Sequence, residues 1–267
     1  GETQLELDKR GISEKIEKLK KELAKVIQER MTNRKKREKI PLPTCALVGY
    51  TNAGKSSLLN TLTGSDVFVE DKLFATLDPT TRRLGIAGSS GILLTDTVGF
   101  INNLPHSLVD AFKSTLEEAQ RANLLLIVLD SSDKNVLNHY QTVIKVLKEI
   151  EADKNQKIIV FNKIDYFDST NIHILHDLQK QFPEAVCISA KTKEGFDQLT
   201  DKIITNLYGC QKKFIIPYTN SEYDNWNYQN ILQQIRQNGV LEDSQWLENG
   251  IFIKARITDQ LKNKLHL

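Results

Sequence analysis

Eight residues, Gly49-Tyr50-Thr51-Asn52-Ala53-Gly54-Lys55-Ser56, fit the pattern GxxxxGK[ST]. Glycines let a backbone curl until several N–H groups point inward, and a helix that follows adds partial positive charge at its N-terminus. Such a loop cradles phosphates. In it a lysine at the place of Lys55 reaches the terminal phosphates, and a hydroxyl at the place of Ser56 ligates Mg²⁺. An apolar run ends at Gly49, and a helical pattern opens at Lys55 with Ser56 and Ser57 in its first turn. That is the context the chemistry requires.

About forty residues later a second apolar run ends in Asp96-Thr97-Val98-Gly99. An aspartate there can hold the Mg²⁺ shell, and a glycine amide can meet a γ-phosphate without side-chain obstruction. A third run ends in Asn162-Lys163-Ile164-Asp165. A carboxylate accepts two hydrogen bonds and so matches the N1–H and exocyclic N2–H₂ donors of guanine. Adenine would leave a buried carboxylate unpaired, and unpaired polar groups discriminate strongly. Asn162 can bind elsewhere on the base or tie this loop to the phosphate loop, and the Lys163 stem can lie along the ring face. Ser189-Ala190-Lys191 follows a further strand-like run, where the Ala190 N–H can read guanine O6. These motifs in this order imply GTP.

The elements that must position them can be read from periodicity. Apolar runs at Cys45–Val48, Arg83–Ile86, Ile92–Thr95, Leu124–Asp130, Ile158–Asn162 and Val186–Ser189 are expected strands. Helical patterns lie near 55–63, 107–121, 137–151, 170–181 and 195–207. Alternation of this kind predicts a doubly wound α/β sheet over 44–208. The Gly88–Gly91 turn makes the second and third strands a hairpin, so one strand runs antiparallel. From Lys213 the pattern restarts on a smaller scale, with KFIIPY, a helix over 226–238, GIFIKARI and a helix over 259–265. A small α+β domain over 212–267 is expected.

Ahead of the sheet, Ile12, Ile16, Leu19, Leu23, Val26 and Ile27 recur at helical spacing among Glu and Lys. Pro41 and Pro43 end this arm. Residues 1–40 carry thirteen basic and eight acidic residues, the remainder 23 and 26. A basic arm on a mildly acidic body points to an anionic partner, either nucleic acid or a membrane surface, or to a solvated helix face. Cys45, Cys187 and Cys210 have no metal or disulfide spacing, which suits a reducing compartment. The apolar run Leu124 to Leu129 is far too short to span a bilayer. The chain opens without methionine, as a piece of a longer protein would.

The ordered set GYTNAGKS, FATLD, DTVG, NKID and SAK resembles the HflX family of translation-factor-class, P-loop GTPases. So do GETQLELDKR before the basic helix and LFATLDPTTRRL after the first one. The likeness covers nearly the whole chain, strongest over 44–191 and thinnest after 212. It implies a P-loop GTPase domain with a mixed, mostly parallel six-stranded sheet and helices on both faces. It also implies a further N-terminal domain in family members. Thr76, Thr80 and Thr81 are all candidates for the switch hydroxyl that meets Mg²⁺ only beside a γ-phosphate. The family pattern selects Thr76, with Phe74, Ala75, Leu77 and Asp78 around it. Thr80 and Thr81 then read as turn-capping hydroxyls beside Pro79.

Phe100 stands where Ras-like GTPases carry a water-orienting glutamine, and a phenyl ring cannot make that hydrogen bond. Slow unaided hydrolysis, completed by a partner, is implied. Asn52 is a candidate for holding K⁺ beside the phosphates, as in related GTPases, or for pinning the loop. Lys55, Asn52 and Gly99 are therefore the expected catalytic set. By resemblance the partner is the large ribosomal subunit, and the action is subunit splitting or rescue of stalled ribosomes by a monomeric, cytoplasmic factor. Two alternatives stand beside it. One is a signalling or peripheral-membrane switch, and the other a nucleotide-binding module without useful turnover.

Overall fold

The computed structural model describes residues 10–18, 21, 22, 25, 42–65, 79–100, 116–218 and 224–267. The chain divides into two compact units, Gly1–Pro41 and Leu42–Leu267. In the first, residues 10–18 are helical, with Ile12 and Ile16 exposed one turn apart and Arg10 paired to Glu14. Leu19, Leu23, Val26 and Ile27 lie outside the described residues, as do 66–78 and 101–115.

The second unit is built on a six-stranded sheet. Its strands are β1 (Thr44–Gly49), β2 (Thr80–Leu84), β3 (Ile92–Asp96), β4 (Leu124–Asp130), β5 (Gln156–Asn162) and β6 (Val186–Cys187). They run in the order β2-β3-β1-β4-β5-β6, all parallel but the edge strand β2. Between them run α1 (Lys55–Thr63), α2 (Val136–Glu149), α3 (Ile172–Gln181) and α4 (Phe196–Tyr208). β4, Leu-Leu-Leu-Ile-Val-Leu-Asp, is apolar up to its closing Asp130 because both its faces are covered. Leu124, Leu126 and Val128 join Leu58, Leu59, Leu199 and Ile203 on the α1 and α4 side. Leu125, Ile127 and Leu129 join Val143, Leu147 and Leu178 on the α2 and α3 side. Each such leucine contributes roughly 1.5–3 kcal/mol by leaving water. Chain order reverses at β1, which has β3 on one side and β4 on the other. A crevice therefore opens at the carboxyl end of β1, beside the loop that follows it.

β2 begins at Thr80 rather than Arg83 and ends at Leu84 rather than Ile86. The apolar residues suggested a later start, but an edge strand with one covered face can be Thr-Thr-Arg-Arg and still pair along its length. Thr80 and Thr81 are consequently strand residues rather than turn caps, and Thr81 Oγ1 lies 3.0 Å from Thr95 Oγ1 across the hairpin.

After Gly209 come β7 (Gln211–Pro217), α5 (Asp224–Asn238), β8 (Val240–Leu247), β9 (Gly250–Arg256) and α6 (Asp259–Lys264). The strands form an antiparallel sheet ordered β7-β9-β8. Ile251, Ile253 and Ala255 meet Tyr228, Leu232, Ile235 and Leu261 from the two helices. β8 is absent from the sequence reading: Glu242 and Asp243 interrupt the alternation, and a bulge between Leu241 and Asp243 breaks the period.

This sheet is tied to the β2–β3 hairpin. The Leu241 N–H donates to the Gly88 carbonyl (2.8 Å) and the Ser90 N–H to the Arg236 carbonyl (2.9 Å). The Tyr208 hydroxyl donates to the Gly91 carbonyl at 3.0 Å. Arg256 bridges Glu242 to Asp201 and Thr205 of α4. Gly88 has φ +73°, and a Cβ there would sit 1.9 Å from the Leu241 carbonyl oxygen. Gly88→Ala therefore brings both backbone strain and a clash with backbone. It is expected to cost about 2 kcal/mol or more in a denaturant melt.

Candidate functional site

The three motifs converge at the carboxyl ends of β1, β3 and β5. β1 delivers the chain into Gly49, and Gly54 turns it into α1. Gly54 has φ +86°, and a Cβ there would meet Asn162 Nδ2 at 2.3 Å. The turn and the close approach of the β5 loop together demand glycine. Asn52 also lies in the left-handed region, at φ +60°, with its side chain exposed at the rim. Tyr50 stacks on His139 of α2, ring centroids 3.9 Å apart and the planes nearly parallel. Thr51 and Ala53 are buried within the loop, and Thr51 Oγ1 finds no hydrogen-bond partner among the described residues.

Lys55 is 6% exposed at the first turn of α1. Its ammonium donates to the carbonyls of Tyr50 (2.9 Å) and Gly49 (3.3 Å). Burial pulls its pKa down from the ordinary lysine range to about 8, partly offset by the charge of Asp96. One residue on, the Ser56 hydroxyl donates to Asp96 Oδ2 at 2.5 Å. Asp96 is fully buried at the end of β3. Ser57 is half-buried on the same helical turn.

The Asp96–Gly99 turn is bonded back to the loop. Thr97 Oγ1 donates to the Leu47 carbonyl at 2.7 Å. The Phe100 N–H donates to the Gly49 carbonyl and the Thr51 N–H to the Phe100 carbonyl, both at 3.0 Å. Val98 is buried, and Gly99 lies against Thr51 and the Lys55 ammonium. The Phe100 ring is wholly buried, in the cluster that contains Ala46 and Val48. It packs as core.

Asn162 makes the loop-tying contact of the two that the sequence allows. Its Nδ2 donates to the Ala53 carbonyl at 3.0 Å, and its Oδ1 accepts from the Ala190 N–H at 3.0 Å. A carboxamide 1% exposed needs both kinds of partner. The Ala190 N–H, assigned from sequence to guanine O6, is thus engaged by Asn162. Asp165 is half-buried and accepts from the Ser189 hydroxyl at 2.6 Å, which fixes its carboxylate plane. Lys163, at φ +69°, places its ammonium 2.7 Å from Asp130. Lys191 is exposed at the edge. Phe74, Ala75, Thr76, Leu77 and Asp78 lie outside the described residues.

Several supporting residues have no counterpart in the sequence reading. Thr61 of α1 donates to the Ala190 carbonyl at 3.1 Å. The Ser131 N–H and hydroxyl both donate to the Asn162 carbonyl. The Asp130-Ser131-Ser132 turn ends an apolar strand just as the Asp96 and Asn162 segments do, and that was the available signal. His139, alone on an amphipathic helix, offered none.

Residues 44–163 match the family described as 50S ribosome-binding GTPase. The chain is 41% identical over 267 residues to GTPase HflX of Caldanaerobacter subterraneus subsp. tengcongensis, covering 99% of this chain and 59% of that protein. It is 41% identical over 245 residues to GTPase HflX of Escherichia coli K12, covering 91% of this chain and 57% of that protein. The chain thus spans less than two thirds of the length of these relatives. Among solved structures, a point variant of SsGBP aligns with TM-score 0.52 and 29% identity, over 68% of this chain and 61% of that one. Era bound to MgGDPNP and a segment of 16S ribosomal RNA aligns with TM-score 0.50 and 23% identity, over 78% and 75%, a likeness of fold. The first of these alignments, 41% identical on average, extends past the residues of the family match at both ends, over 99% of this chain. The chain belongs to the HflX family of GTPases.

Proposed function

We propose that this chain binds GTP and hydrolyses it to GDP and phosphate, as the nucleotide-dependent part of a cytoplasmic factor acting on the large ribosomal subunit. The observation that carries the nucleotide reading is the Asn162 bridge. One buried carboxamide holds the phosphate loop, at Ala53, to the base-reading loops at Asp165 and Ala190. Phosphate and base sites are thereby set at fixed separation, as a single nucleotide needs.

In this reading the loop amides and Lys55 bind the β- and γ-phosphates, and Gly99 offers its N–H to the γ-phosphate. Ser56 and Asp96 are adjacent hard oxygen donors, the kind Mg²⁺ takes, and they would hold that ion with Thr76. Bound there, Mg²⁺ would neutralise charge on the β- and γ-oxygens. Asp165, oriented by Ser189, accepts from guanine N1–H and N2–H₂, and the Lys163 stem flanks the ring. Phe100 is buried, its N–H and carbonyl committed to the loop, and its ring can orient no water. Hydrolysis therefore waits on outside help. K⁺ held by Asn52 would supply charge, and the ribosomal surface would complete the site.

The ribosomal part rests on the matched family description and on the basic arm, whose charge suits rRNA phosphates. Splitting of subunits and rescue of stalled ribosomes are the actions proposed. The test is GTP turnover in K⁺ and in Na⁺ buffer, with and without purified large subunits. Stimulation by the subunits, larger in K⁺, is expected. Turnover indifferent to ribosomes would remove the ribosomal reading, and indifference to the cation would leave Asn52 with loop geometry alone.

Lys55 also sets a pH dependence. With its pKa near 8 in the nucleotide-free fold, the protein sheds a proton as pH rises through 8 and must regain it to bind a triphosphate. GTP affinity is expected to fall above pH 8 by up to about tenfold per pH unit. Fold stability moves the other way. Between about 8 and 10.5 the unfolded chain binds more protons than the folded one, so stability rises with pH across that window. Nucleotide-free denaturant melts against pH, with Lys55→Met as the flat control, read the same proton.

A further inference from the structure

Lys163 reaches the site on the longest and most flexible side chain of the base-reading segment, yet it is held at its tip. Its ammonium lies 2.7 Å from Asp130 Oδ2, at the end of the neighbouring strand β4. The second carboxylate oxygen, Oδ1, accepts from the N–H (3.0 Å) and the hydroxyl (2.6 Å) of Ser132. The carboxylate is thus fixed in its plane. Between them, Ser131 gives its N–H (3.0 Å) and hydroxyl (2.6 Å) to the Asn162 carbonyl. The turn over 130–132 grips the backbone of Asn162 and the side chain of Lys163 together.

We propose that Asp130 is a positioning residue for guanine recognition, holding the Lys163 stem as a preformed wall of the base site. This rests on the nucleotide reading above. A freely exposed lysine–carboxylate pair holds little, because two long side chains must be ordered in water. Here the side chains are only 23% and 19% exposed, and the carboxylate is ordered by Ser132. The left-handed backbone at Lys163 (φ +69°) aims the stem before any ligand arrives. Ordering the four-carbon stem in advance removes that cost from binding. Ser189 does the same for Asp165 from the opposite loop, so the two base-facing side chains are each braced by a different strand end.

The experiment is a double-mutant cycle on the full chain, with GDP and inorganic pyrophosphate as probes. Asp130→Asn is expected to weaken GDP binding about fivefold, the cost of one side chain left to be ordered on binding. Pyrophosphate, which meets only the phosphate loop, should bind it as it binds the wild type. Lys163→Met should weaken GDP by a similar factor, and adding Asp130→Asn to it should cost nothing more, since the two act as one unit. GDP binding unchanged in Asp130→Asn, or losses that multiply in the double variant, would overturn the proposal. So would an equal loss for pyrophosphate, which marks a general loosening. A wild-type chain that binds pyrophosphate but shows no preference for GDP over ADP would overturn the guanine reading itself, and Asp130's role with it.

Discussion

Lys55→Ala is expected to weaken GTP binding by at least about 100-fold, two charge-assisted hydrogen bonds to phosphate being worth that much or more. The side chain is buried beneath the loop, so its charge faces the phosphates through little water, and such interactions are strong. Its ammonium also holds the carbonyls of Gly49 and Tyr50, which turn the loop. Alanine therefore removes both the charge and an internal tie. Lys55→Met separates the two effects, keeping most of the volume and losing the charge. A GTP titration followed by calorimetry checks both variants, with a denaturant melt to show that each remains folded. Undiminished binding in Lys55→Ala would remove the phosphate assignment and everything built on it.

Asp165→Asn is expected to change which base is bound. The carboxylate offers two acceptors, and its Oδ1 already receives the Ser189 hydroxyl. An amide keeps one acceptor for Ser189 and N1–H and turns a donor toward position 2 of the ring. Guanine has a donor there and xanthine a carbonyl. The preference for GDP over XDP should shift by about 100-fold or more, each mismatched buried pair costing about 1–3 kcal/mol. Competition of the two diphosphates against one fluorescent nucleotide measures the ratio. An unshifted ratio would mean that the base is read by another group.

Much of this site could be read from the sequence because each motif is local. Gly49 to Ser56, Asp96 to Gly99 and Asn162 to Asp165 each sit where an apolar run stops, and strands buried on both faces advertise themselves as such runs. The bracing groups are invisible for the complementary reason. Thr61 holds a carbonyl 129 residues away and Asn162 one 109 residues away, and no window of sequence contains both partners. Edge strands were the weaker part of the fold reading. β2 and β8 are only partly covered, so polar residues occupy places where the apolar pattern would otherwise mark a strand. The position of Ala190 after β6 suggests a base-facing amide, whereas in the structure that amide donates to Asn162.

The β2–β3 hairpin behaves as a lever. At one end Thr80 pairs with Asp96 beside Ser56, and at the other the Gly88 and Ser90 backbone is bolted to Leu241 and Arg236. Strands of five residues make the arm about 17 Å long. The hairpin thus makes one continuous hydrogen-bonded path from the C-terminal sheet to Asp96, the buried aspartate beside Ser56. Cutting the chain after Gly209 would free the far end of the lever and strand the Ser90 N–H without its acceptor. The small domain expected from sequence over 212–267 is thus bonded, backbone to backbone, to the hairpin that ends at Asp96.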